Sequence, residues 1–113
     1  MKLITLTLLA SVMACSAQIN EQRLADAIYK AEGGKAAQYP YGIKAGRPLD
    51  ASTARQWCLR TIRHQERRWE ASGMRKDFIQ FLSEIYCPIK DKSDIHHLNQ
   101  YWTRNVRRFL NKG

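Results

Sequence analysis

The sequence predicts an all-α, or nearly all-α, domain of about four helices, and three observations carry that expectation. Apolar residues recur at spacings of three and four in four separate stretches, the period of a helix face. Helix-starting residues, Asn20 and Asp50, and helix-stopping glycines, Gly33, Gly34 and Gly73, bracket the first two stretches. No stretch alternates apolar and polar residues with the period of a strand, and no internal repeat or low-complexity segment breaks the pattern. A chain of 113 residues, 44% hydrophobic and 26% charged, suits one small domain with a single core.

The first helix is predicted from Asn20 to Ala31, with Leu24, Ala27, Ile28 and Ala31 on one face. Gly33 and Gly34 supply the positive φ that ends it, so Glu32 falls at its last turn. There the carboxylate meets the negative end of the helix dipole and gains nothing from it. The next stretch, Lys35 to Leu49, carries Pro40, Gly42, Gly46 and Pro48 among Tyr39, Tyr41 and Ile43, and reads as one long loop. Asp50 then caps a long helix through Ala54, Trp57, Cys58, Ile62 and Trp69 to Gly73. A third helix is expected from Arg75 to Tyr86, burying Phe78, Leu82 and Ile85 and blocked by Pro88, and folding back on the second as a hairpin. After the polar link Lys90 to Asp94, the spacing of Leu98, Trp102, Val106 and Phe109 marks the last helix and places Trp102 in the core.

The N-terminus reads as an export signal, residues 1–17. Met1-Lys2 is a short positive start, Leu3 to Met13 an apolar run too short to span a membrane, and Ala14 to Ala17 a small-residue cleavage region before Gln18. Val12-Met13-Ala14-Cys15 also resembles a lipobox, which would leave Cys15 lipidated and the domain tethered to a membrane. The expected location is therefore secreted or periplasmic, with a lipoprotein as the alternative. Cys58 and Cys87 then remain as an even pair in an oxidising compartment. They read as a disulfide whose ~30-residue loop would contribute about 3–4 kcal/mol, or else as two separate buried thiols.

The formal charge of +9 becomes +8 once Lys2 leaves with the signal. A basic exported surface points to an acidic wall polymer ahead of nucleic acid. Arg55, Arg60, Arg63, Arg67 and Arg68 on the second helix form either a solvated face or an anion-binding one.

Little catalytic chemistry survives inspection. His96 and His97 are adjacent, so on a helix they diverge, and His64 has no ligand-spaced partner; no metal site or other cofactor is expected. No Gly-x-Ser-x-Gly elbow or phosphate-cradling glycine loop is present. Acid catalysis of glycoside cleavage remains. It requires a carboxyl lifted from about 4.3 toward about 6 by apolar surroundings, which Ile28, Tyr39 and Tyr41 could give Glu32. Hydrolysis would want a second carboxylate, for which Asp50, Asp77 and Asp94 are the candidates.

Glu32-Gly33-Gly34, preceded by an apolar helix face and followed about ten residues later by Tyr41-Gly42-Ile43-Lys44, resembles the lysozyme-like superfamily, especially lytic transglycosylases and related glucosaminidases. The resemblance implies a helical fold with a saccharide cleft, peptidoglycan as substrate and Glu32 as general acid/base. It implies also that the sugar's own 6-hydroxyl can attack to form an anhydro-sugar, which removes the need for a second carboxylate. Tyr39, Tyr41, Gly42, Ile43 and Asn105 are the expected substrate-binding residues. Gly33 stands where those enzymes carry Ser, and their late tyrosine motif has no counterpart here. The other reading is a non-catalytic exported module that binds peptidoglycan or another anionic polymer through Arg60, Arg63, Arg67 and Arg68.

Overall fold

A computed structural model describes residues 19–86 and 98–112 of the chain. The four expected helices are present: α1 (Glu21–Ala31), α2 (Ala51–Ala71), α3 (Phe78–Tyr86) and α4 (Trp102–Lys112). Short 3-10 turns occupy Gly34–Ala36, Pro40–Gly42 and Leu98–Tyr101. The expected signal segment, Cys15, Cys87, Asp94, His96 and His97 lie outside the described residues. Among the described residues no helix is long and apolar enough to cross a membrane.

Helix starts follow the side-chain oxygens. Asn20 accepts from the Arg23 amide at 3.0 Å and Asp50 from the Thr53 amide at 3.2 Å, each satisfying an N–H that the first turn leaves without a carbonyl. Hydrogen bonding, chiefly from Thr53, holds the Asp50 carboxyl below its ordinary value. The third helix starts at Phe78 and not at Arg75. Gly73 (φ 95°) and Met74 (φ 54°) both turn left-handed, the Met74 amide reaches back to the Trp69 carbonyl at 3.2 Å, and the chain stays irregular until Asp77 caps the Gln80 amide at 3.3 Å.

Each helix packs on the next in chain order and α4 packs back on α1, neighbours running antiparallel. Between α1 and α2, Arg55 reaches Asp26 at 2.7 Å and Arg63 reaches Glu21 at 2.9 Å. The expected hairpin of α2 and α3 is closed by the rings of Trp69 and Phe78, 5.3 Å apart, with Arg68 over Phe81. Arg107 of α4 pairs with Asp77 at 2.6 Å, and Arg23 of α1 donates to the Leu110 carbonyl at 2.7 Å. Such exposed ion pairs contribute about 0–1 kcal/mol each. Burial of Leu24, Ile28, Ile62, Leu82 and Val106, each inaccessible to water, contributes about 1.5–3 kcal/mol per side chain and carries more of the fold.

The arginines of α2 differ in what they contact. Arg55 and Arg63 are committed to α1 and Arg68 donates to the buried Gln65 at 2.7 Å, so only Arg60 and Arg67 point outward without a polar partner among the described residues. Ile85, expected in the core, is exposed at 49%.

Candidate functional site

Glu32 is the C-cap of α1, its amide bonded to the Ile28 carbonyl at 2.9 Å. Gly33, at φ 110°, then turns the chain away, so the side chain leaves the helix end and does not run along it. The turn Pro40–Gly42 folds over the carboxylate from one side. A Cβ on Gly42 would stand 2.7 Å from Glu32 Cδ and within 2.9 Å of both oxygens, so the glycine backbone is in direct contact with the acid. Gly42 also holds φ 73°, which a side chain would resist.

From the other side comes α4. The indole Nε1 of Trp102 donates to Glu32 Oε2 at 2.9 Å, across seventy residues of sequence. Trp102 is 4% exposed, and its ring stacks on Tyr86 at 5.3 Å with an interplanar angle of 19°. Beneath them lies Cys58, fully buried on α2. Burial pushes its thiol up to about 11; Tyr86, a hydrogen-bonding neighbour, opposes the shift and the negative charge of Glu32 adds to it. Glu32 therefore sits half-buried among Gly42, Trp102, Tyr86 and Cys58, held in one orientation by a neutral donor.

Other expected site residues are placed as follows. Gly42 meets Glu32 as described. Ile43 is half-buried against the core. Tyr41 is 5% exposed, takes φ 60°, packs its ring on Tyr29 at 5.0 Å and accepts from Arg55 at 3.1 Å; it is a core residue that shapes the turn. Tyr39 is half-buried with the Lys44 ammonium 6.0 Å from its ring centre. Asn105 follows Trp102 by one turn of α4 and is half-buried. Cys58 carries a free thiol rather than half of a bridge, and its expected partner lies outside the described residues. A fully buried thiol on the inner face of α2 is accounted for by packing alone. Asp50 and Asp77 are spent as helix caps, and Asp77 stands at the opposite end of α3 from Tyr86. No cluster of three potential metal ligands occurs among the described residues.

No family model, curated protein or solved structure matches this chain. The resemblance of Glu32-Gly33-Gly34 and Tyr41-Gly42-Ile43 to lysozyme-like enzymes is thus carried by those residues alone. Trp102 and Tyr86 are what the sequence reading missed at the site. One signal was available: a buried tryptophan needs an acceptor for its N–H, and α4 itself offers no carboxylate.

Proposed function

We propose that this chain is an exported glycan-cleaving protein of the cell wall, acting on peptidoglycan in the manner of a lytic transglycosylase, with Glu32 as its single general acid/base. The observation that carries the reading is a half-buried carboxylate fixed by an indole N–H and roofed by bare glycine backbone. Any side chain at position 42 would displace the acid, and glycine lets the turn close on it from that side. The Trp102 bond fixes one oxygen, so the carboxyl can present a defined edge to a glycosidic oxygen without a search over rotamers.

Of the candidate second carboxylates, Asp50 and Asp77 cap helices and Asp94 lies outside the described residues, whereas internal attack by the sugar needs only the one acid. Incubation of purified protein with sacculi, followed by separation of the released muropeptides, is the test. Wild type should release anhydro-sugar products, and Glu32→Gln should lower release at least a hundredfold, the scale of a positioned proton donor. Equal release by the two proteins would remove Glu32 from the chemistry.

A further inference from the structure

Among the described residues two that are not glycine hold a positive φ, Tyr41 at 60° and Met74 at 54°. Met74 belongs to the left-handed turn that ends α2, and its side chain is exposed. Tyr41 ends no α-helix and is buried. A left-handed backbone is an outlier for a bulky aromatic and persists only where the surroundings over-determine it.

Three elements meet at this residue. The Tyr41 ring lies on Tyr29 of α1 at 5.0 Å, and its hydroxyl accepts from Nη1 of Arg55 on α2 at 3.1 Å. The same guanidinium reaches α1 twice more, from Nη1 to Asp26 at 2.7 Å and from Nη2 to the Gln22 side-chain oxygen at 2.7 Å. A planar fork serves these partners together because its five N–H donors point in fixed directions. With Tyr41 held, the next residue, Gly42 at φ 73°, is delivered onto the Glu32 carboxylate, which accepts from Trp102 at 2.9 Å.

We propose that Arg55 is a positioning residue for Glu32, acting through the Tyr41 hydroxyl to keep the turn Pro40–Gly42 closed on the carboxylate; the proposal deepens the reading of Glu32 as the acid and rests on it. Without the hydroxyl bond the Tyr41 backbone relaxes toward negative φ and Gly42 moves off the carboxylate. Glu32 then gains rotamers that break its bond to Trp102. Arg55 itself stays paired, since Asp26 and Gln22 remain as acceptors.

The test reads hydrogen exchange of the indole N–H groups by NMR on the full chain. Trp102 reports on Glu32, and Trp69, which donates to the Lys76 carbonyl at 2.6 Å at the other end of α2, is the internal reference. Tyr41→Phe removes one oxygen and keeps the ring. It should speed exchange at Trp102 about tenfold, the scale of a hydrogen bond from a charged donor, and change Trp69 less than twofold. Arg55→Met should speed Trp102 at least as much, and adding Tyr41→Phe to it should change the rate less than twofold. Equal acceleration of both indoles would mean general loosening of the fold and overturn the proposal, as would unchanged exchange at Trp102 or independent effects of the two substitutions. Muropeptide release at saturating sacculi should fall about tenfold in Tyr41→Phe, and release at the wild-type rate despite faster exchange would also overturn the positioning role. A wild-type protein that releases nothing would remove the glycan-cleaving reading, while the exchange rates would still decide whether Arg55 closes the turn on Glu32.

Discussion

Replacing Gly42 by alanine probes the contact on which the site depends. Two costs follow from the structure. Alanine at φ 73° pays about 1–2 kcal/mol for the left-handed backbone. The new methyl carbon also falls 2.7 Å from Glu32 Cδ, too close to persist. Because the carboxylate ends a flexible side chain, it can swing aside, and the cost is then the loss of the 2.9 Å bond from Trp102 rather than a rigid clash. A hydrogen bond to a charged group contributes about 1.5–3 kcal/mol, and half-exposure of Glu32 places it near the lower bound. Gly42→Ala should therefore destabilise by about 2.5–3.5 kcal/mol in urea unfolding. The same substitution in a Glu32→Ala background should cost only the backbone part, about 1–2 kcal/mol, leaving a coupling near 1.5 kcal/mol. Equal costs in both backgrounds would refute the contact, and with it the argument that the turn roofs the acid.

Two further predictions concern groups away from the contact. Glu66 and Glu21 share a proton across the α1–α2 interface: burial, then its bond to Glu21, raises Glu66 to about 7, while Glu21 is lowered, first by Glu66 and then by Arg63. A carboxyl raised on folding stabilises the fold fully below about pH 4.5, and that contribution is lost as pH rises through about 7. With solvent screening at this partly exposed pair, Glu66→Gln should match wild type at pH 5 and exceed it by about 1 kcal/mol at pH 8, and a constant difference across that range would refute the shared proton. Cys58, buried and raised to about 11, should resist alkylation in the native protein at pH 8 and label fully once unfolded without reductant; labelling only after reduction would restore the disulfide expectation.

How much of this was legible in the sequence differs between fold and site. Helix ends were readable where a local chemical device sets them: Asn20, Asp50 and the glycines at 33 and 73 act on backbone within four residues. The start of α3 had such a device too, since Asp77 followed three residues later by Gln80 is a cap pattern, but apolar spacing drew the expected start three residues too early. Tyr41 shows the limit of reading residue type. An aromatic in a glycine-proline loop suggested a cleft wall, yet Tyr29 and Arg55, both on other elements, draw it into the core. The donor to Glu32 was invisible for a different reason: Trp102 satisfies its helix period as a core residue, and nothing local says where its N–H goes.

The partnership of α1 and α4 has a consequence for the order of assembly. Trp102 ties one end of the pair to Glu32, and Arg23 ties the other to the Leu110 carbonyl, across sequence separations of 70 and 87. Closing loops of that length is entropically costly and slow relative to forming the α2–α3 hairpin. The acid thus acquires its indole donor only once α4 has docked on α1. A chain whose first three helices have formed would carry Glu32 without its indole donor, so the carboxylate is fixed only on arrival of α4.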